Sequence, residues 1–470
     1  MGAGGMSEHT HVEIRTGAFA DSVTLLQVSR TVQGLPGVAA AQVAMATPLN
    51  VEVLEGMGFD VPAEATPNDM VVALRLDDPG ALDAALAGVA QALADAARRP
   101  SGGSTEREPA RTTGAALREA GDDAVVLVSV PGASALPEAM DAVDAGRDVM
   151  IFSDNVPVEQ EVALKRAAAE RGVLVMGPDC GTAVVDGVGL GFANVVSPGP
   201  VGIVAASGTG CQQLLVLLDH AGVGVTHALG VGGRDLSAEV GGLATREALR
   251  RLDEDPRVEL VVLVSKPPAA EVAAEITTYA DSLSTPVELA LLGPGQPDLT
   301  AAAERVIGRL GREVPEWPVT EASGKARRSL GSSLAGLFVG GTLCQEAALI
   351  AGDRGTFTDF GEDEYTRGRA HPMIDPTLRL EELARVGRDE SVGVVLLDVV
   401  LGHGAEPDPE ALLAPAIEKV PKPVVVTVVG TAGDPQDRER QVRALADAGA
   451  EVHLSNARAT RRALEILGSQ

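Results

Sequence analysis

The chain has 470 residues, too many for one ordinary hydrophobic core, so several domains are expected. Its 66 acidic and 38 basic residues give a formal charge of −28, a field that repels nucleic acid and anionic membrane surfaces. Aromatic residues are 2% of the total, with a single tryptophan (Trp317), which argues against base-stacking platforms and leaves Ala, Val and Leu to build the cores.

In chain order, HVEIRTGAF, GVAAAQVAMA and MVVALRLD read as strands, with DSVTLLQVSRTVQGL and ALDAALAGVAQALADAA as helices. So many short elements within residues 10–96 predict a small α+β domain of the ferredoxin-like kind. ARRPSGGSTEREPARTT, rich in Pro, Gly, Ser and charge, reads as a linker, and the first nine residues are expected to be disordered. From Gly114 onward, Val-rich strands such as DAVVLVSV, DVMIF and VLVMGPD alternate with Ala-rich helices, the pattern of parallel, doubly wound sheets. A second linker is predicted over REVPEWPVTEASGKARRSLGSS. The opening MGAGGMSEHTHVEIR has no apolar core of a signal peptide, and apolar runs such as VELVVLVS are far short of a membrane span; a cytoplasmic location is expected.

A coarse repeat runs through the second half. VGIVAASGTGCQQ (Val201 to Gln213) and GLFVGGTLCQEAA (Gly336 to Ala348) are both an apolar run, then Gly-Thr-x-Cys-Gln, then a helical stretch. Later strands repeat at similar offsets, about 133, 134 and 137 residues, so one βαβαβ module is written twice. Two facing flavodoxin-like domains, residues 199–311 and 334–470, are predicted; residues 114–198 form a Rossmann-like domain before them.

In such sheets ligands meet helix N-termini at the carboxyl ends of strands. Ser207, Gly208, Thr209 and Gly210, and Gly340, Gly341, Thr342 and Leu343, lie at that place, where unpaired amides and the macrodipole favour a phosphate or carboxylate. The same junctions could also be plain strand-to-helix punctuation. Cys211 and Cys344 fall in the first helical turn, where a thiol is either activated or simply packed behind the turn. The cysteines, with Cys180, suit neither a disulfide framework nor a metal cluster, and no metal is expected. Other strand-end loops hold Gly232, Gly233, Arg234 and Asp235; Lys266; His371, Asp375 and Arg379; and His403 between Gly402 and Gly404. Singly each reads as a solvated loop residue, and their shared placement marks them as a set.

At these residues the chain resembles the succinyl-CoA synthetase superfamily, and specifically its FdrA family. VLVMGPDCGTAVV, GPVGIVAASGTGCQQLL and GVGGRDLS resemble the CoA-binding and ligase domains of the α subunit; GLFVGGTLCQEAA through VVVTVVGTAGDPQD resembles the C-terminal domain of the β subunit. The N-terminal part, with GAFADSVTLLQVSRTVQGLPGVAAAQVAMATPLN, looks like an FdrA-specific extension. The resemblance implies that the two junctions are phosphate-facing helices, here fused in one chain. It also exposes departures: the first strand and Gly-rich loop of the CoA-binding domain are missing, and no ATP-grasp domain is present. PGQPDLTAAA holds no histidine where the family has its phosphohistidine, and Lys266 stands where the α subunit has a glutamate. The resemblance therefore implies acyl-phosphate chemistry in which CoA is a doubtful cofactor. The family member it suggests is a subunit of an oxamate carbamoyltransferase of allantoin breakdown, converting oxalurate and phosphate to oxamate and carbamoyl phosphate. In that scheme Arg234, Lys266 or Arg379 holds a carboxylate and His403 exchanges a proton. Partner subunits, and compatibly a homodimer, are expected. Two other functions fit the same residues: a subunit of an acyl-CoA synthetase, and a sensor of a phosphorylated metabolite without turnover.

Overall fold

The computed structural model describes residues 9–20, 22–97, 110–121, 123–324, 327–329, 331–366 and 371–468. The chain divides into two compact units, Met1–Pro109 with Thr366–Ala370 and Ala110–Tyr365 with His371–Gln470. Residues 1–8, and 98–109 of the predicted linker, lie outside the described residues; His9, expected to be disordered, already opens the first strand.

The first unit runs β1 (His9–Arg15), α1 (Ser22–Gln33), β2 (Val38–Met45), α2 (Pro48–Gly56), β3 (Met70–Leu76) and α3 (Leu82–Ala97). Its antiparallel sheet has the order β1-β3-β2. Val72 and Leu74 point toward α1 and α3, and Val71 and Ala73 toward Leu54 of α2, so the central strand is apolar on both faces. The ferredoxin-like pattern has a fourth strand; none follows α3 among the described residues, and α2, unforeseen, covers the other face of the sheet.

The second unit begins with α4 (Thr113–Leu117), β4 (Val126–Val128), α5 (Ala135–Asp144), β5 (Val149–Ile151), α6 (Val158–Arg171) and β6 (Val175–Met176), a three-stranded parallel sheet. The hairpin of β7 (Thr182–Val185) and β8 (Val188–Gly191) leaves that sheet and extends the next one. That next sheet is built by β9 (Val201–Ala206), α7 (Gly208–His220), β10 (Val225–Gly230), α8 (Leu243–Glu254), β11 (Leu260–Ser265), α9 (Ala270–Asp281), β12 (Val287–Leu291) and α10 (Leu299–Arg309). Its order is β12-β11-β9-β10-β7-β8.

The second copy runs β13 (Val319–Thr320), β14 (Ser333–Phe338), α11 (Gly341–Ala351), β15 (Gly355–Asp359), α12 (Asp363–Thr366), α13 (Thr377–Arg388), β16 (Val392–Val400), α14 (Pro409–Glu418), β17 (Val424–Val429), α15 (Arg438–Asp447), β18 (Ala450–His453) and α16 (Asn456–Gly468). The order β15-β14-β16-β17-β18 is the flavodoxin-like 2-1-3-4-5, with β13 added antiparallel at the edge. The copies share β-strand order through their fourth strand, and the second adds a fifth.

Between the two sheets lies one layer of four helices, α7, α10, α11 and α16, packed on one another. Strand residues alternate: Val394 and Leu396 of β16 face this layer, while Val395 and Leu397 face α13 to α15. Burial on both faces explains the uninterrupted apolar strands.

The helix layer is laced by a crossed pair of caps. Gln213 of α7 accepts the amide of Asn456, the first residue of α16, at 3.0 Å. At the equivalent position of the second copy, Glu346 of α11 accepts the amide of Leu299, the first residue of α10, at 2.7 Å, and Asn456 Nδ2 at 2.8 Å. Each copy thus caps a helix of the other. Burial outweighs those donors and pushes the Glu346 carboxyl up to about 7. A raised carboxyl contributes stability that is complete below its unfolded value of 4.5 and is lost as pH rises through about 7. Chemical denaturation of Glu346→Gln and the wild type at pH 5 and pH 8 should show the difference moving in favour of the variant at pH 8, by up to about 3 kcal/mol. A pH-independent difference would remove the buried ionisation.

Candidate functional site

The two repeated junctions meet. Ser207 is the N-cap of α7, accepting the Gly210 amide at 3.0 Å, and its hydroxyl lies 2.6 Å from that of Thr342 in α11. A methyl group at Gly210 would sit 3.0 Å from the Thr342 methyl, and one at Gly340 would sit 3.0 Å from Thr209 Cβ. Small residues are therefore required for the helix ends to approach each other. Ser207 and Thr342 are buried, Gly208 is exposed and Gly341 partly so, which leaves a mouth at the first turn of each helix.

Asp398, near the carboxyl end of β16, fixes the start of α11 by accepting the amides of Val339 at 2.8 Å and Gly340 at 2.9 Å. Among the described residues no side chain caps Gly341, Thr342 or Leu343, and the Gly208 and Thr209 amides of α7 are likewise without a cap. These are the unpaired donors that attract an anion at a helix start.

Two charged groups converge on Gly341: a methyl there would lie 2.3 Å from Asp359 Oδ2 and 3.1 Å from Lys266 Nζ. Lys266 follows β11 of the first copy, and Asp359 ends β15 of the second. Lys266 makes no ion pair within 4.0 Å among the described residues. Asp359 Oδ1 accepts the Gly361 amide at 2.9 Å, yet burial raises its carboxyl to about 6. His371 borders the same place, its Nε2 being 2.9 Å from where a methyl at Gly361 would lie. Burial depresses it to about 4, so it is neutral near pH 7. Asp359 had no signal in the sequence, because only the strand order sets it beside α11.

Other expected site residues serve the fold. Cys211 and Cys344 point into the shared core, and burial pushes both thiols up, which removes the activated-thiol reading. Leu343 belongs to the same core. Arg234 donates to the Val156 carbonyl at 2.8 Å and lies 2.9 Å from Glu161, an ion pair without hydrogen-bond alignment. Asp235 is fully buried, pairs with Lys165 at 2.8 Å and caps α8 through Ala244 and Thr245. That loop therefore fastens α6 to the first copy, and charge repulsion between Glu161 and Asp235 is met by Lys165. Gly232, at φ +92°, has the Pro178 carbonyl where a side chain would go, while Gly233 faces open space. Asp375 accepts from the Thr377 amide and hydroxyl ahead of α13. Arg379 is buried and bound to Asp398 rather than placed at the helix ends. His403 is exposed; its amide donates to Ala193 and its ring edge lies by Gly189. Gly402 and Gly404, both at positive φ, let that loop close on Ala193 and Phe192.

Residues 6–110 match the model of the AllF heavy metal-associated domain, and residues 337–466 match that of CoA-ligase. The uncharacterized protein YahF of Escherichia coli (strain K12) is 34% identical over 93% of this chain and 95% of its own length. The chain belongs to the YahF family. That family lies within the succinyl-CoA synthetase-like superfamily: the ADP-forming succinate–CoA ligase subunit alpha 2 of Archaeoglobus fulgidus is 31% identical over 50% of this chain and 78% of that protein. The malate–CoA ligase subunit alpha of Methylorubrum extorquens is 27% identical over 44% and 67%. The donor set of this YahF-family chain does not fit the metal that the first domain's name suggests. Residues 6–110 contain no cysteine, and among the described residues no group of three or more His, Cys, Asp and Glu could hold an ion. No helix among the described residues is long and apolar enough to cross a membrane.

With Asp359 ionised above about 6, its charge opposes an anion at Gly341, and the opposition is relieved below that value. Sulfate, which keeps its charge over this range, should bind more tightly at pH 5 than at pH 7.5 by calorimetry. Asp359→Asn should abolish that difference.

Proposed function

We propose that this chain is an acyl-CoA-synthetase-type enzyme subunit that holds a phosphoryl or acyl-phosphate group at the meeting point of α7 and α11. The observation that carries this reading is the convergence of uncapped amides from both copies beside Lys266, an ammonium group with no ion-pair partner among the described residues. Charge developing on phosphoryl oxygens would be met by these fixed donors, each contributing up to about 3 kcal/mol once bound substrate shuts out water. Lys266 adds a full positive charge, which offsets the −28 of the whole chain where the anion lands. Asp359, held near 6, can take up or release a proton beside that group near neutral pH.

Carbamoyl transfer, expected from the FdrA resemblance, gives way here to the ligase reading. The functionally named relatives described above are CoA ligases, and the CoA-ligase match covers the whole of α11. The loop after β12 reads Gly-Pro-Gly-Gln-Pro-Asp, so no phosphoryl relay through a histidine is proposed there. Nucleotide activation is assigned to a partner subunit.

The melting temperature of the purified chain, followed against phosphate and CoA separately, tests the reading. A ligand of the folded state alone stabilises by about 2.7 kcal/mol at a hundredfold excess over Kd. Both ligands should raise the melting temperature, and Lys266→Met should weaken phosphate by about tenfold or more while the chain stays folded. No response to phosphate rejects the cradle. A response to phosphate with none to CoA turns the reaction into acyl transfer without CoA.

A further inference from the structure

We propose that His371 reads the acyl end of the ligand: its Nε2–H donates to the carbonyl oxygen of an acyl phosphate whose phosphoryl group sits at the α7–α11 junction. This rests on the acyl-phosphate reading above and adds to the phosphate cradle a residue that recognises the rest of the substrate.

His371 lies ahead of α13 and is partly buried. The Met373 amide donates to its Nδ1 at 3.2 Å. A ring nitrogen that accepts a hydrogen bond carries no proton, so the neutral ring has its proton on Nε2. Protonating Nδ1 as well would set two hydrogens against each other. Burial acts in the same direction and holds the group down to about 4. His371 is therefore a neutral donor with a fixed tautomer near pH 7. The same tautomer leaves no free lone pair on Nε2, so the ring is a donor here and no phosphoryl acceptor. Phe192 packs beside it, tilted, at 5.9 Å between ring centroids.

Nε2 makes no hydrogen bond to a described residue, yet it is not closed off from solvent. A methyl at Gly361 would lie 2.9 Å from His371 Nε2 and 3.1 Å from Asp359 Oδ1. One at Gly341 would lie 2.3 Å from Asp359 Oδ2 and 3.1 Å from Lys266 Nζ. A single carboxyl group thus spans from the start of α11 to His371. Asp359 Oδ1 takes the Gly361 amide at 2.9 Å and no hydrogen bond from the ring. A phosphoryl group on the α11 amides has Lys266 and one edge of Asp359 as neighbours. The group joined to it through the bridging oxygen extends past that carboxyl toward His371. A neutral N–H offers no charge to a second anion, and the carbonyl oxygen is the acceptor that an acyl phosphate brings there.

Calorimetric titration of the full chain at pH 7.5 with acetyl phosphate and ethyl phosphate is the test, since the two differ only in carbonyl against methylene. Acetyl phosphate should bind about fivefold tighter, the worth of one neutral hydrogen bond. His371→Leu should erase that gap, and His371→Gln, which carries an amide N–H near the Nε2 position, should restore most of it. In spectra of the chain with nitrogen-labelled histidine, the His371 ring should show the neutral Nε2–H form. Its Nε2 signal should move with acetyl phosphate and stay in place with ethyl phosphate. These spectra decide the matter should His371→Leu fail to fold. Equal binding of the two ligands, a gap untouched in His371→Leu, or a ring protonated at Nδ1 would overturn the inference. Inorganic phosphate titrated in parallel separates the two readings. Phosphate and ethyl phosphate bound without an acyl preference removes only the role of His371, and no binding of any of the three removes the cradle and that role together.

Discussion

Two helices brought N-terminus to N-terminus present like partial charges to each other, roughly half a positive charge apiece. The second unit is organised around making that contact tolerable. Ser207 and Thr342 share a hydrogen bond across the junction, and Gly210 and Gly340 remove the side chains that would hold the helices apart. Asp398 and Asp359 bring carboxyl groups to the α11 end. What stays unpaired among the described residues is the set of free amides, with the Lys266 ammonium only partly offset by Asp359, and an anion is the group that completes the balance.

The same contact explains what the repeated Cys-Gln register is for. The cysteines fill the helix layer, and the residues one step on, Gln213 and Glu346, cross over to cap α16 and α10. Ser455 and Thr300, near the starts of those helices, share a second hydroxyl contact at 2.6 Å. Helix ends buried without water need side-chain acceptors, and each copy obtains them from the other. The duplication is thus a requirement of the interface as well as of the ligand. One difference between the copies, Glu346 for Gln213, turns one cap into a titrating group.

Charged loop residues divide by where their strands end. Arg234, Asp235 and Lys266 all follow buried strands. The small sheet of β4 to β6 sits against the first loop, and α6 supplies Glu161 and Lys165 to pair with its charges. Lys266 instead has Asp359 of the second copy nearby, without an ion pair within 4.0 Å among the described residues. Arg379 joins neither class: it anchors Asp398 with one nitrogen, and its Nε is buried without a partner among the described residues.

By itself the sequence determined the elements and their repetition. Period-2 burial on both faces writes continuous runs such as VGVVLLDVV, Gly-Thr at the turn marks each strand-to-helix junction, and equal offsets reveal two copies. Helix α2 escaped because PLNVEVLEG is short and has no clear apolar stripe. Only the tertiary structure decided which loops meet. Strand order places Asp359 beside Gly341 and Lys266 across from it, although 93 residues separate the two charged groups in the chain. Periodicity reports each segment's own environment, whereas the pairing of sheets through α7, α10, α11 and α16 depends on long-range packing that no local pattern encodes.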